Sequence, residues 1–338
     1  MADNTGATAG TLYVPGFQAN LNLSPQQSRS RLLTCVDSDL GYSTPGQFFN
    51  ADDVGTSDPA DVTTRVPDSP DGFVDVTRRI GTFKGFNDGK FIDNEDLARQ
   101  LEDPTNLVMQ AMMAGLGRKR DTAIISAALG APLLQDNNQN YVAGTTLATV
   151  GNVIAANDAT SHENETIAAV GRSGGYGLTI GKLIEVKTQL DNSEIDEPTP
   201  GDKPSDYYFA CTANQLQDLL MSVPATSSFY NSVQGLVNGT LSYFMGFNFV
   251  RLASNKISNP LPKYQGAGAG SATTRQCLAF HKRALLYRGR PIIQTRITQR
   301  ADKAYRWYAY YESEHGAVRR YDGGVWEVDC AENTTGFN

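Results

Sequence analysis

The sequence predicts an α+β protein, and three observations carry that prediction. A run of apolar and small residues between Asp103 and Leu129 is long enough for one dominant helix. Tyr207 to Leu220 reads as a strand that turns directly into a helix. The last quarter consists of alternating, aromatic and β-branched segments separated by short turns. Helices and strands are grouped along the chain rather than strictly alternating, which separates α+β from α/β. With 338 residues, 40% of them hydrophobic, the chain is long enough to bury cores for two subdomains.

The N-terminal part opens with an extended segment, Thr11–Phe17. A short helix is expected from Ser24 and Pro25, with Ser24 as N-cap, Pro25 at the first helical position, and Leu32, Leu33 and Val36 on one side. Gly41–Pro59 is rich in Gly, Pro, Asp and Ser and has no sustained apolar period, so it reads as an arm lying on something else. A hairpin follows, with strands at Val62–Val66 and Phe73–Phe83 around the turn Pro67–Gly72. Val74, Val76 and Ile80 alternate with Asp75, Thr77 and Arg79, although Arg78 interrupts the apolar face. A lone hairpin is marginally stable in water, so its contacts are expected from another chain.

The strongest local signal comes next. Asp103 caps, Pro104 sits in the first turn, and Gly130 and Pro132 end a helix of about 25 residues, about 38 Å long. Val108, Met112, Leu116, Ile124 and Ala128 form its apolar stripe. Gly115 and Gly117 each cost about 1 kcal/mol against Ala in a helix interior, which predicts a neighbour packed unusually close.

Short strands and a surface loop around 157–165 are expected between Leu133 and Gly175. A helix follows at Thr179–Asp191, then a Pro, Asp and Glu loop over 192–206. Tyr207–Cys211 is a buried strand, and Thr212 with Gln215 forms a capping box that opens a helix carrying Leu216, Leu219 and Leu220. Phe244–Val250 is a further strand. Beyond the Gly266–Gly270 loop, strands are expected at Cys277–Phe280, Pro291–Thr298, Ala304–Tyr311, Gly316–Tyr321 and Val325–Cys330, mostly antiparallel.

Composition excludes several function classes. A net charge of −7 argues against a dedicated nucleic-acid binder, though it is compatible with lining a DNA container. Four scattered cysteines without a CxxC pair suggest reduced, mostly buried thiols and neither a zinc site nor a disulfide framework. No leader pattern and no apolar run of membrane-spanning length is present. Gly171–Gly177 and Gly266–Gly270 lack the strand and helix context of a phosphate loop, and Ser173 lacks that of a nucleophile elbow. The histidines, His162, His281 and His315, show no metal-ligand spacing. No catalytic, cofactor or metal residues are therefore assigned.

The basic residues Arg65, Arg78, Arg79, Lys84, Arg118, Arg120, Arg319 and Arg320 are the candidates for intersubunit contact. Pairing with acidic patches on neighbouring subunits is preferred over DNA contact, because interfacial charge mainly sets partner choice and register. The aromatic run Tyr305, Trp307, Tyr308, Tyr310 and Tyr311 is read as core on one face and interface on the other, in preference to a base-stacking platform.

Several segments together resemble, in order, the major capsid proteins of tailed bacteriophages with the Hong Kong 97-type fold. They are Gln27–Leu32, Leu101–Thr105, Leu116–Gly130, Leu219–Ser222, Ala225–Asn231, Leu236–Gly239, Phe244–Phe247, Ala279–Leu285 and Gly316–Arg319. The resemblance spans most of the chain, and its specificity lies in order and spacing, since no single piece is a catalytic motif. It implies an N-terminal arm (1–60), an extended hairpin loop (61–92), a peripheral domain with a long spine helix (93–145) and an axial domain (146–255). Residues 256–338 would hold the remaining axial strands and the return to the peripheral domain.

The resemblance further implies a subunit that self-assembles into pentamers and hexamers of an icosahedral shell around double-stranded DNA. Portal protein and scaffolding or decoration proteins are the implied partners, with assembly in the bacterial host cytoplasm and no membrane. The stretch 149–175 is longer than the resemblance leads one to expect. A nanocompartment shell protein of the encapsulin kind and an unrelated α+β enzyme are the alternatives.

Overall fold

The computed structural model describes residues 26–59, 61–65, 72–92, 105–136, 139–156, 176–195, 206–223, 229–253, 261–265, 273–291 and 294–332. The first strands are β1 (Asp37–Asp39), β2 (Phe48–Val54), β3 (Val76–Thr82) and β4 (Lys84–Ile92). The long helix α1 (Thr105–Leu129) follows. Next come β5 (Leu133–Gln135), β6 (Tyr141–Ala143), the single turn α2 (Leu147–Val150) and β7 (Val153–Ile154). The central part holds α3 (Ile180–Asn192), β8 (Tyr207–Thr212), α4 (Ala213–Ser222), α5 (Tyr230–Asn238), β9 (Tyr243–Phe244), β10 (Phe247–Leu252) and β11 (Lys263–Gln265). The chain closes with β12 (Thr273–His281), β13 (Leu285–Gly289), β14 (Gln294–Arg300), β15 (Arg306–Arg319) and β16 (Val325–Glu332).

Three sheets organise these elements. The largest runs β7-β16-β12-β8-β10-β9, with β11 on β12. Its β8 alternates strictly: Tyr207, Phe209 and Cys211 face a core shared with α3, α4 and α5, and Ala210 faces a second core shared with the C-terminal half of α1. Burial on both faces explains why β8 reads as a nearly continuous apolar run. The tail strands pair antiparallel with one another as expected, whereas β8 with β10, β16 with β7 and β13 with β1 are parallel. A second sheet runs β1-β13-β15-β14, with β4 on the other edge of β15, and a third runs β2-β3-β5-β6.

The long helix spans 25 residues, Thr105–Leu129, in line with its apolar period; Asp103 and Pro104 lie outside the described residues. Met112 and Leu116 pack on Ala309 and Tyr311 of β15, while Ile124, Ile125 and Ala128 enter the second core. The close neighbour anticipated from its glycines is the N-terminal segment: a Cβ on Gly117 would lie 2.9 Å from the Ser30 nitrogen and 3.0 Å from the Arg29 carbonyl carbon. Nothing in the structure explains Gly115.

Three expectations are corrected. The helix expected around Leu32 to Val36 is only a 3-10 turn at Leu33–Cys35, because the Arg31 and Leu32 N–H groups donate to the Asp121 carboxylate of α1 instead of continuing a helix; Ser24 and Pro25 lie outside the described residues. The partner of β3 is β2, not Val62–Val66. Phe49 and Ala51 of β2 point into a core with Phe83, Leu286 and Val318, which Val62–Arg65, exposed throughout, cannot do. Finally, the two strands expected at 304–311 and 316–321 are one 14-residue strand, β15, held continuous by β4 along one edge and by β14 and then β13 along the other.

Candidate intersubunit surfaces

The surfaces that offer themselves to a partner are bounded by residues that tie the chain to itself. On α1, the buried Asp121 accepts hydrogen bonds from Gln27 Nε2, Ser30 Oγ (2.5 Å) and the Arg31 and Leu32 nitrogens (3.1 Å each). Arg118, one turn earlier, donates to Gln26 Oε1 at 3.1 Å and to the Gln27 carbonyl at 3.5 Å. Residues 26–32 are thereby laid across the middle of the helix.

A second node fixes the base of the β2–β3 hairpin. Arg319, 0% exposed, donates through Nη1 to the carbonyls of Ala128 (2.6 Å) and Gly130 (3.1 Å), through Nη2 to Thr145 (2.7 Å), and through Nε to Asp322 Oδ1 (2.7 Å). Arg79 of β3 grips the same Asp322 with both terminal nitrogens at 2.7 and 2.8 Å. Burial alone would push the Asp322 carboxyl upward, but the two guanidinium groups outweigh it and hold it below its ordinary value. Burial also lowers the Arg319 pKa from its ordinary value, against the pull of Asp322.

Arg319 is therefore corrected from contact candidate to internal clamp, since a fully buried guanidinium with every nitrogen engaged has nothing to present. Arg79 and Arg118 are likewise engaged within the chain. Arg120 is half-buried beside Tyr287, and Arg320 donates to the Asp52 carbonyl at 3.2 Å and lies over the Tyr321 ring. Arg78 makes an exposed two-point pair with Asp52 at 2.7 and 3.0 Å. Arg65 and Lys84 are exposed, with no ion-pair partner among the described residues.

Beyond the stem, the hairpin exposes apolar side chains that a self-sufficient domain would cover. Phe73 is 102% exposed and Val62 75%, with Val54, Val74 and Val76 alongside. Exposed apolar side chains gathered on one hairpin make it a candidate contact site. On the β14–β15 hairpin, Ile297 of β14 and Tyr305 of the turn are also exposed. Of the remaining aromatics of the run, Tyr311 is buried, while Trp307, Tyr308 and Tyr310 are half-covered.

Among the described residues, the histidines and cysteines are buried. His315 stacks on Phe86 at 4.3 Å, and burial, helped by the nearby Arg120, holds its pKa down at about 4. His281 caps a turn, its Nδ1 accepting from the Arg283 nitrogen at 3.3 Å. All four cysteines are buried and free, and burial raises the thiols of Cys35, Cys211 and Cys277. Among the described residues, no group of three or more His, Cys, Asp or Glu is placed to hold a metal, and no helix is long and apolar enough to cross a membrane. His162, Ser173 and the Gly266–Gly270 loop lie outside the described residues. The long 149–175 stretch leaves from a tied neck: the Tyr176 nitrogen donates to the Ala156 carbonyl at 2.8 Å, and the buried Lys182 ammonium donates to the carbonyls of Ala156, Tyr176 and Asp329.

The family described as phage capsid protein matches residues 9–332. No curated protein sequence matches. Among solved structures, the capsid of cyanophage Pam1 is similar with a TM-score of 0.66 at 14% identity, covering 99% of this chain and 100% of that one. The capsid of cyanophage P-SCSP1u gives 0.64 at 17% identity over 98% and 97%, and the capsid of Ralstonia phage GP4 gives 0.64 at 11% over 95% and 96%.

Proposed function

This chain belongs to the phage capsid protein family, and from that premise we propose how it builds a shell. It is a major capsid protein with an α+β fold of the Hong Kong 97 type, a structural subunit whose self-association forms the phage capsid. Our reading is that subunits form the pentamers and hexamers of an icosahedral head around double-stranded DNA, with a portal protein at one vertex and scaffolding or decoration proteins as further partners. Assembly takes place in the host cytoplasm.

In this reading residues 1–60 are the arm and 61–92 the extended hairpin. Residues 93–145 are the peripheral domain around α1, 146–255 the axial domain, and 256–338 its remaining strands and the return to the periphery. The node of Arg79, Arg319 and Asp322 at the stem of β2 and β3 supports treating the distal hairpin as a lever on a rigid base. Arg65 and Lys84, and Arg78 with its exposed partner Asp52, are the basic residues we assign to neighbours.

The observation that carries the proposal is the exposed apolar distal hairpin. Burying it against an adjacent subunit would release about 25 cal/mol per Å² of apolar area, repeated at every copy. The experiment is a deletion that spares the stem. The Gly55 nitrogen donates to the Asp75 carbonyl at 2.7 Å, so joining these residues through a short glycine turn removes 56–74 without touching β2 or β3. The deleted chain should fold, with unchanged far-UV circular dichroism, and remain unassembled by sedimentation. Shells of normal size from it would refute the role of the hairpin.

A further inference from the structure

One charged residue interrupts the apolar stripe of α1. Met112, Leu116, Arg120, Ile124 and Ala128 recur at intervals of four, so Arg120 stands between the cluster of Met112 and Leu116 and that of Ile124 and Ala128. Beside it lie two fully buried polar side chains, Tyr287 of β13 at 0% exposure and His315 of β15 at 1%, with ring centroids 5.9 Å apart. Four buried polar atoms of these residues, Arg120 Nε, Tyr287 Oη and both His315 ring nitrogens, have no hydrogen-bond partner among the described residues. Arg120 approaches the Tyr287 hydroxyl, and the Lys119 backbone a His315 nitrogen, without reaching hydrogen-bond geometry.

Buried polar atoms are hydrogen-bonded as a rule, so four of them gathered in one place point to a bound species. Their chemistry selects its sign. Arg120 only donates and carries a fixed positive charge, the Tyr287 hydroxyl donates, and neutral His315 keeps one N–H. The carboxylates nearby are engaged: Asp121 accepts from residues 27–32, and Asp88 of β4 pairs with Lys90 at 3.4 Å. Gly289, in register with His315, carries no side chain beside Tyr287; a Cβ there would stand 3.6 Å from Tyr287 Oη and 3.3 Å from Leu40 Cδ2. That is room for a methyl group with a slight shift of Leu40, and a halide ion is of similar size.

We propose that Arg120, Tyr287 and His315 bind one small inorganic anion of halide size, chloride, at the middle of the contact between α1 and the β13–β15 sheet. The anion balances the Arg120 guanidinium and accepts from the Tyr287 hydroxyl and a His315 N–H. A charge taken out of water without a partner is costly, and relieving that cost is what gives the site its affinity. The break in the apolar stripe thereby becomes a tie between helix and sheet. Arg120, half-buried, is the opening to solvent. The site is internal to one subunit and stands or falls apart from shell formation.

Linkage between chloride and stability tests it. The full-length, unassembled chain is unfolded with urea at fixed ionic strength, chloride replacing a bulky organic sulfonate, and followed by circular dichroism. A site with a Kd of about 20 mM raises the folding constant about tenfold between about 1 and about 200 mM chloride, which lifts the urea midpoint by about 0.4 M. Tyr287→Phe, which removes one hydroxyl, and Gly289→Ala, which fills the space beside it, should each shift by less than about 0.1 M over the same range. Arg78→Gln removes an exposed guanidinium paired with Asp52 and should keep the full rise, which separates the site from a general effect of chloride on surface charge. A wild-type midpoint indifferent to chloride overturns the proposal and assigns the four atoms to bound water. A Tyr287→Phe midpoint that rises as the wild type does overturns it as well, because chloride then acts elsewhere. Tyr287→Phe loses a single oxygen, so the test holds even where Gly289→Ala fails to fold.

Discussion

Replacing Arg319 with Met removes a guanidinium that is 0% exposed and donates to three backbone carbonyls and one carboxylate. Asp322 keeps its two bonds from Arg79, so no carboxylate is abandoned. The loss falls on the carbonyls of Ala128, Gly130 and Thr145, which close the C-terminus of α1 and the loop before α2. Hydrogen bonds from a charged donor contribute about 1.5 kcal/mol or more each, and a stranded buried carbonyl costs about 1 kcal/mol or more. Methionine returns part of this by packing its apolar stem. The net expectation is a loss of about 4 kcal/mol, a large fraction of the roughly 5 to 15 kcal/mol that holds a domain folded. Urea titration of unassembled subunit, followed by circular dichroism, should show the midpoint lowered by about 1.3 M at a slope of about 3 kcal/mol per M. Arg319→Lys keeps the charge but not the fork, and should fall between the two. A Met variant within about 0.3 M of wild type would refute the clamp, for it would mean that water satisfies these carbonyls.

Other expectations follow from the same geometry. Asp121→Ala removes the acceptor that holds residues 26–32, so brief trypsin treatment should cleave after Arg29 and Arg31 much faster than in wild type while the remainder stays folded. Gly117→Ala should release the same segment, because the added methyl meets backbone at 2.9 Å and its gain in helix propensity is only about 1 kcal/mol. The pH dependence of stability should contain two opposed contributions. Burial and then Arg120 lower His315 from 6.5 to about 4, so the unfolded chain takes up a proton that the folded chain refuses, and about 3 kcal/mol is lost as pH falls through that window. Burial and then Asp329 raise Glu327 above its ordinary 4.5, so its contribution is full below that value and is lost as pH rises above it. Chemical denaturation across this range should therefore show His315→Gln becoming more stable toward acid relative to wild type, and Glu327→Gln less so. Parallel curves for all three proteins would count against both assignments.

Where a segment's structure depends on its own residues, the sequence is enough. The ends of α1 follow from its run and from Gly130, α3 begins at the N-cap Thr179, the capping box of Thr212 and Gln215 opens α4, and β8 and β16 announce themselves by composition. Gly117 even announces a close neighbour, though not its identity. What escapes is whatever depends on a distant partner. Phe48–Val54 looks like loop until Phe49 and Ala51 find Leu286 and Val318, and Val62–Val66 looks like strand, yet Val62–Arg65 stand exposed and β3 pairs with β2. Leu285–Gly289 pairs with β1, a segment some 250 residues earlier, and so becomes a strand that local pattern does not reveal. The basic residues make the same point about function. Arg319 and Arg65 are the same side chain in the sequence, yet one lies beneath three carbonyls and a carboxylate while the other stands in solvent. A guanidinium's role is set by what surrounds it, and long-range packing decides those surroundings; local spacing does not.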